Sequence, residues 1–330
     1  MQESTQDTEP LLSVRDLHVH FAIKGEGLFP KKRVLKAVNG VNLDLWPGET
    51  LGIVGESGCG KSTLARALLN LIPATSGTVV WLGKDMADAK PADWQSVRKN
   101  VQMVFQDPLA SLNPRMNVAQ IIGEPLKTHR PDLSKEEVTA RVKQVMARVG
   151  LMESQLNRYP HEFSGGQCQR IGIARALILE PKLIVCDEPV SALDVSIQAQ
   201  IINLLKDLQK QMHLALIFIA HDLAVVKHVS QRILVMYLGR VMELADKHEL
   251  YASPKHPYTR ALLSAVPLAD PRLERTKQIQ LLSGDLPSPL SPPSGCVFRT
   301  RCPHAFEKCG ADVPPLIPVN EKSQAACWLY

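Results

Sequence analysis

The sequence lacks a hydrophobic run long enough to cross a membrane. A membrane-spanning helix needs about twenty consecutive apolar residues. The richest apolar run here, residues 171–186, is interrupted by Arg175, Glu180, Pro181 and Lys182. The first residues, MQESTQDTEPLL, have neither the basic start nor the apolar centre of a secretory signal. The chain is therefore predicted to stay in the cytoplasm and not to span a bilayer by itself.

Other features are also scarce. Aromatic residues make up only 5% of the 330 residues, and the formal net charge is a mild +5. No dense stripe of Lys and Arg interleaved with aromatics is present, and the short cluster at residues 31–33 is typical of a solvated loop. There is no internal repeat and no low-complexity tract. These absences argue against nucleic acid as a partner and against a repeat protein.

The chain does contain seven cysteines. In a cytosolic protein they are expected to be thiols or metal ligands rather than disulfides. Cys59, Cys168 and Cys186 lie singly within motifs, and the other four lie together near the C-terminus.

From residue 13 to about 252, short apolar runs alternate with amphipathic stretches, as in βαβ units. The runs at 50–54, 183–186 and 214–220 are uniformly apolar, which favours strands buried on both faces of a parallel sheet. In the stretch 134–149, valines recur every three or four residues behind a Ser134/Glu137 capping box. This predicts a helix within an inserted, mostly helical segment of roughly 107–180.

The composition changes beyond Pro254. Half of the 24 prolines fall in the segment from Pro254 to the C-terminus, so few regular elements are expected there. We predict a flexible N-terminus at residues 1–12, a main domain at 13–254 and an appendage at 255–330.

The stretch GESGCGKST, residues 55–63, follows one of the predicted strands and precedes a helical run. It fits G-x4-G-K-[ST] in the strand-turn-helix context that this phosphate-binding motif requires. Its glycines allow successive backbone N–H groups to face a phosphate, Lys61 neutralises phosphate oxygens, and the Ser62 hydroxyl binds Mg²⁺. A purely structural turn is the alternative. The candidate ATP-binding residues in this stretch are Gly55, Ser57, Gly58, Cys59, Gly60, Lys61, Ser62 and Thr63.

Two further strand ends carry polar side chains. Asp187 and Glu188 follow the apolar residues of the run LIVCDEP. Asp187 would hold Mg²⁺, and Glu188 would act as the general base on the attacking water. An acidic pair that caps a helix is the alternative. His221 follows another predicted strand, at the sheet edge where ligands of open α/β folds bind, and would contact the γ-phosphate.

A second glycine turn, FSGGQCQR, occupies residues 163–170. Ser164, Gly165 and Gly166 are predicted to begin a helix whose free N–H groups form another anion site. Because the first turn already encloses the phosphates, this second site is expected to cap ATP bound to a partner subunit.

At this point the sequence resembles the nucleotide-binding subunits of ATP-binding cassette (ABC) transporters, whose signature is usually written LSGGQ. Phe163 replaces the leading Leu, and the Ser-Gly-Gly is intact. The resemblance covers residues 13–250 and implies an α/β fold. Its parts would be a RecA-like P-loop core, an antiparallel β subdomain, an inserted helical subdomain and, in this chain, a loop-rich C-terminal extension.

The resemblance also implies roles for residues in smaller motifs. Phe21 is similar to the aromatic residue that stacks on adenine, although it could equally be a core residue. Gln106 in VFQDP matches a glutamine that touches Mg²⁺ and reports to the membrane subunit. Asp194 in SALD matches the loop that crosses the dimer interface. Together with Ser164, Gly165, Gly166 and Gln167, Asp194 would contact the ATP held by the partner.

The C-terminal segments HPYTRALLSAVP and LPSPLSPPSGCVFRTRCPHAFEKC resemble the extension of the oligopeptide and dipeptide importer branch. Within that branch the similarity is greatest to the second of the two ATPase subunits. The resemblance implies ATP hydrolysis with Mg²⁺ at the cytoplasmic face of the inner membrane. The implied partners are a second, homologous ATPase subunit, two transmembrane permease subunits and a substrate-binding protein.

Four cysteines lie in this tail at spacings C-x5-C-x6-C-x17-C: Cys296, Cys302, Cys309 and Cys327. Four thiolates suit either Zn²⁺ or a [4Fe-4S] cluster. The spacing lacks the C-x2-C pairs usual for structural zinc, and the resemblance to a branch whose members carry iron-sulfur clusters favours [4Fe-4S]. Free thiols are a third possibility, and His304 nearby is expected to be a surface residue.

Two alternative functions stay open. The same branch also serves nickel, other metal chelates and other solutes, and no substrate-binding residue is expected on this subunit. A soluble ATP-driven clamp is the alternative from a different class, but such proteins usually carry two cassettes or long coiled-coil insertions. Neither occurs here, so a peptide importer subunit is the leading hypothesis.

Overall fold

The computed structural model describes residues 9–24, 32–267, 270–277, 279–280 and 282–330. The predicted flexible N-terminus therefore lies outside the described residues as far as residue 8.

The helices and strands of these residues are as follows. The strands are β1 (Leu12–Lys24), β2 (Lys32–Leu45), β3 (Thr50–Val54), β4 (Ser76–Trp81), β5 (Lys84–Asp85), β6 (Val101–Val104), β7 (Leu183–Asp187), β8 (Ala215–Ile219), β9 (Arg232–Tyr237), β10 (Arg240–Asp246), β11 (Ile317–Asn320) and β12 (Ser323–Ala325). The helices are α1 (Lys61–Leu68), α2 (Pro91–Asn100), α3 (Val118–His129), α4 (Lys135–Arg148), α5 (Gly165–Leu177), α6 (Val195–Met212), α7 (Leu223–Val229), α8 (Lys247–Ala252), α9 (Pro257–Ala265), α10 (Pro271–Thr276) and α11 (Glu307–Ala311).

The chain divides into two compact units. Of the described residues, one unit contains 9–11, 45–50 and 88–219, and we call it the helix-rich unit. The other contains the remaining described parts of 12–44, 51–87 and 220–330, and we call it the strand-rich unit.

In the helix-rich unit, the strands β6, β7 and β8 pair in parallel with β7 in the centre. Every residue of β7 and of β8 is buried, because the sequences LIVCD and ALIFI present apolar side chains to both faces. This confirms the strands predicted at 183–186 and 214–220.

The helices α3, α4 and α5 pack against one another in the same unit. The capping box predicted for α4 is confirmed. The Ser134 N–H donates to the Glu137 carboxylate at 2.8 Å, and the Glu137 N–H donates to the Ser134 hydroxyl at 3.2 Å. These helices lie within the predicted helical segment 107–180, whose limits stay a prediction.

The strand-rich unit contains a sheet in the order β2-β1-β4-β5, in which β4 pairs antiparallel with both β1 and β5. The indole N–H of the buried Trp81 in β4 donates to the Leu68 carbonyl at the end of α1, at 2.9 Å. A second group of strands runs in the order β11-β12-β10-β9-β3, with β3 parallel to β9. The C-terminal segment therefore adds two antiparallel strands, β12 and β11, beside β10.

A buried aromatic cluster joins the C-terminal segment to β9. The rings of Tyr237 in β9, Tyr258 in α9 and Phe298 lie with centroids between 4.8 and 5.4 Å apart. The ring of His256 lies 5.6 Å from that of Phe298. Such tilted and edge-on contacts are favourable aromatic arrangements.

A buried carboxylate also holds this segment. Glu243 in β10 accepts hydrogen bonds from the backbone N–H groups of Lys255 and His256, both at 2.8 Å. Burial raises the pKa of Glu243 above its usual value, and these hydrogen bonds oppose the shift. The contact fixes the start of α9 against the sheet.

None of the helices in the described residues combines the length and the apolar character that crossing a membrane requires.

Candidate nucleotide-binding site

The glycine turn between β3 and α1 needs two of its glycines for steric reasons. Gly55 has φ +153° and Gly60 has φ +107°. A Cβ on Gly55 would lie 2.2 Å from the Met236 carbonyl oxygen, and one on Gly60 would lie 2.1 Å from that of Ala37. The backbone of the turn can take this path only because both positions lack side chains.

Lys61 lies inside this turn and is 4% exposed. Its Nζ donates to the Gly55 carbonyl at 2.8 Å and to the Glu56 carbonyl at 3.2 Å. The Cys59 thiol lies 4.0 Å from the same nitrogen, and burial raises the pKa of that thiol. An ammonium group at the start of α1, together with the N–H groups of the first helical turn, suits an anionic ligand.

The other predicted residues of the turn lie around Lys61. Ser57 and Gly58 are exposed, and Ser62 and Thr63 are half-buried in the first turn of α1.

Two residues of the C-terminal segment hold the turn from outside, and sequence reasoning missed both. The Glu56 N–H donates to the Tyr258 Oη at 3.0 Å. The Arg301 Nη1 donates to both carboxylate oxygens of Glu56, each at 3.0 Å. The partners are 202 and 245 positions apart in the chain. No local pattern in the sequence indicates such contacts.

In the helix-rich unit, the structure brings Gln106 and Glu188 together. The Gln106 Nε2 donates to the Glu188 Oε2 at 3.1 Å. Glu188 has φ +45°, a strained conformation for a residue with a side chain. Its backbone is held at both ends, since its N–H donates to the Ile219 carbonyl at 3.1 Å and its carbonyl accepts from the Ser191 hydroxyl at 3.1 Å. Asp187, which ends β7, is buried.

The second glycine turn begins α5, as predicted from the sequence. Ser164 is the N-cap, its hydroxyl accepts from the Gln167 N–H at 3.4 Å, and its N–H donates to the Gln167 side chain at 3.0 Å. A Cβ on Gly166 would lie 2.4 Å from the Ile197 side chain in α6, so this glycine also serves close helix packing. Ser164 and Gly165 are exposed.

The remaining predicted residues lie on exposed positions. Asp194 precedes α6 as its N-cap residue, and His221 follows β8. Phe21 in β1 is 36% exposed, so its ring is not enclosed in the core.

None of the four C-terminal cysteines, all of which the structure describes, forms a disulfide. Burial, and to a smaller extent the nearby thiols of Cys309, Cys327 and Cys302, raises the pKa of Cys296 to about 11. The Cys296 N–H donates to the Cys309 carbonyl at 2.8 Å. Nevertheless, within the described ranges no three His, Cys, Asp or Glu side chains are arranged so that they could hold a metal ion. The donor chemistry fits a metal group, whereas the positions of the side chains do not form a ligand set.

Comparison with known families defines the class of this protein. The family described as "ABC transporter" matches residues 38–191, and that described as "Oligopeptide/dipeptide transporter, C-terminal region" matches residues 242–309. A solved dimeric structure of the ATP-binding cassette MJ0796, in a post-hydrolysis state bound to ADP and Pi, is 28% identical with a TM-score of 0.64. The similarity covers 72% of this chain and 98% of that one. The fold is therefore that of an ABC ATPase cassette.

Whole-chain relatives specify the branch. The oligopeptide transport ATP-binding protein OppF of Escherichia coli (strain K12) is 63% identical over 99% of this chain and 98% of its own length. The protein AppF of Bacillus subtilis (strain 168), described in the same words, is 53% identical over 98% of each chain. This chain belongs to the ABC transporter family, in its branch of oligopeptide transport ATP-binding proteins.

Proposed function

We propose that this chain is the ATP-hydrolysing subunit of a membrane importer for oligopeptides or dipeptides. The observation that carries the proposal is the glycine turn with Lys61 enclosed in it, in a chain that is similar to OppF over nearly its whole length. We assign the ATPase to residues 13–254, with its helical subdomain at about 107–180, and the extension to 255–330.

The phosphate-binding part of the site is the turn itself. Its backbone N–H groups and Lys61 bind the phosphates, and Ser62 and Thr63 lie at the start of α1. Mg²⁺, held by Ser62, Gln106 and Asp187, would neutralise charge on the phosphate oxygens. Phe21 stacks on the adenine ring.

The hydrolytic part consists of Glu188, Gln106 and His221. The Glu188 carboxylate accepts the proton of the attacking water. The hydrogen bond from Gln106 fixes the orientation of that carboxylate, and the strained backbone of Glu188 points to a position kept for function. His221 donates a hydrogen bond to the γ-phosphate.

A second ATPase subunit, a homologue of this chain, forms the ATP-hydrolysing pair with it. Ser164, Gly165, Gly166, Gln167 and Asp194 contact the ATP bound to that partner. The exposure of Ser164, Gly165 and Asp194 supports this role, since a surface that meets another chain must be accessible. Two transmembrane permease subunits and a substrate-binding protein complete the importer, and the chain lies at the cytoplasmic face of the inner membrane.

The four C-terminal cysteines are proposed as the ligands of a [4Fe-4S] cluster, with Zn²⁺ as the alternative. The nearness of their thiols supports this assignment, and the absence of a formed ligand set in the described ranges counts against it. Protein purified without oxygen should contain iron and acid-labile sulfide and absorb near 400 nm. Zinc in place of iron would favour the alternative. Protein that contains neither metal would indicate that the four cysteines are free thiols.

The whole proposal is tested by affinity purification from detergent-solubilised native membranes, with every co-purifying chain identified. Two multi-spanning proteins and a second cassette ATPase are the expected result. Uptake of labelled peptides against uptake of nickel then separates the peptide importer from a metal importer. A set of purely soluble partners would favour an ATP-driven clamp instead.

A further inference from the structure

Glu56, the second residue of the glycine turn, connects that turn with the C-terminal extension. Its carbonyl accepts a hydrogen bond from Lys61, the residue assigned to the phosphates. Its N–H donates to the Tyr258 hydroxyl, and its carboxylate accepts two hydrogen bonds from Arg301. Each polar part of Glu56 is therefore engaged, and two of the three parts are held by the extension.

The ion pair between Arg301 and Glu56 is shielded from water. The side chain of Arg301 is 12% exposed, and that of Glu56 is 25% exposed. A shielded ion pair constrains its partners more than an exposed one, because removing one charge leaves the other without compensation. The Tyr237 hydroxyl lies 3.5 Å from the same Arg301 nitrogen and helps to fix it.

The position of Arg301 depends on the turn that carries two of the cysteines. The Arg301 N–H donates to the Phe298 carbonyl at 3.0 Å, and the ring of Phe298 is fully buried in the aromatic cluster. Cys296 and Cys302 flank these residues, and the Cys296 N–H is bonded to Cys309. We call residues 296–302 the cysteine turn.

The position of Tyr258 is equally fixed. Its ring lies 4.8 Å from that of Tyr237 and 5.3 Å from that of Phe298, and the residue has no exposed surface. Its hydroxyl is therefore presented to the Glu56 N–H by the packing of its ring against Tyr237 and Phe298.

We infer that Arg301 and Tyr258 are positioning residues for the phosphate-binding turn, and that the cysteine turn thereby sets the affinity of the site for nucleotide. The inference rests on the proposed ATP site and adds control of that site by the extension. Neither residue needs to touch the nucleotide, because both act through Glu56. By reciprocity, nucleotide binding must also stabilise the cysteine turn.

The test measures the affinity of the full chain for a fluorescent ATP analogue with Mg²⁺, together with thermal unfolding. Arg301→Met removes the charge at similar length, and Tyr258→Phe removes only the hydroxyl. Arg299→Met is the matched control, because Arg299 lies in the same turn and its guanidinium donates to Ser294 rather than to Glu56. Arg301→Lys tests whether a positive charge alone restores the affinity for the ATP analogue.

We expect Arg301→Met to weaken binding about tenfold and Tyr258→Phe about threefold, in line with the loss of a shielded ion pair and of one hydrogen bond. Arg301→Lys should recover part of the loss, and Arg299→Met should bind as the unaltered chain does. In hydrolysis assays the loss should raise KM and leave kcat nearly unchanged. Nucleotide should slow amide hydrogen exchange in residues 296–302, and Arg301→Met should abolish this protection.

Lys61→Ala separates this inference from the site on which it rests. If Lys61→Ala loses nucleotide while Arg301→Met and Tyr258→Phe bind normally, the inference is overturned and the site stands. If Lys61→Ala binds normally, the assignment of the site fails and the inference fails with it. If Arg301→Met does not fold, Tyr258→Phe decides, since its ring still fills the aromatic cluster.

Discussion

The candidate site residues of the two units are held in different ways. In the helix-rich unit, Ser164 is held by Gln167, three positions away, and the Ser164 turn is exposed. Glu188 is held by Ser191, Ile219 and Gln106, none of them more than 82 positions away. In the strand-rich unit, the glycine turn encloses the buried Lys61 and is held by residues more than two hundred positions away. The first region suits contact with a partner, whereas the second suits a rigid grip on a ligand.

The largest effect is expected in the helix-rich unit, at the residue that is proposed to act as the general base. Glu188→Gln should lower kcat by about 10²- to 10⁴-fold, because a neutral amide cannot accept the proton of the attacking water. Binding of ATP should persist, since the change leaves the glycine turn intact. Steady-state hydrolysis and nucleotide titration of the assembled subunits measure the two quantities.

Glu180→Gln is the control for that experiment. Glu180 also has a positive φ, +51°, and lies exposed shortly before β7 in the same unit. A matching loss of turnover in both variants would indicate that strain or charge, rather than base catalysis, explains the result. Unchanged turnover in Glu188→Gln would show that another group accepts the proton.

Sequence patterns predicted the locally determined parts of both regions. The strands before the glycine turn and before Asp187, and the start of a helix at residues 164–166, follow from short-range patterns and were confirmed. The contacts of Glu56 with Tyr258 and Arg301 could not be predicted, because they depend on how a proline-rich tail folds back. The four cysteines of the tail predicted a metal group. Whether their side chains converge on one point depends on the fold of the tail, and in the described residues they do not form a ligand set.

A second, smaller effect concerns the pH dependence of the free energy of unfolding, through a histidine in the segment that holds the glycine turn. His256 is fully buried beside the aromatic cluster, and its Nδ1 accepts from the Tyr258 N–H at 3.1 Å. Burial, aided by the charge of Arg260, lowers the pKa of His256 to about 3. Because the unfolded chain binds a proton below about pH 6.5, the free energy of unfolding should fall between pH 6.5 and 3, by up to about 1.4 kcal/mol per pH unit.

Denaturant unfolding at several pH values measures this slope. Glu243 changes the free energy of unfolding in the opposite direction. Because its pKa is raised in the folded state, the folded protein takes up this proton before the unfolded chain does, and acidification stabilises it. His256→Gln removes only the contribution of the histidine. The difference in pH slope between the unaltered protein and this variant therefore measures that contribution. His228→Gln, at an exposed position of α7, should keep the original slope. Equal slopes in all three proteins would contradict the assignment.

The smallest effect on stability separates a helix cap from a partner contact. Ser164 and Ser134 cap α5 and α4 through the same type of capping box, with Gln167 and Glu137 as their partners. Ser164→Ala and Ser134→Ala should each lower the free energy of unfolding by about 1 kcal/mol, the typical value of an N-cap. Only Ser164→Ala should also lower ATP hydrolysis by the assembled pair of subunits, because only that serine is proposed to contact the partner's ATP. If both variants hydrolyse ATP alike, Ser164 is a cap and nothing more, and the exposed turn has no role at the partner's nucleotide.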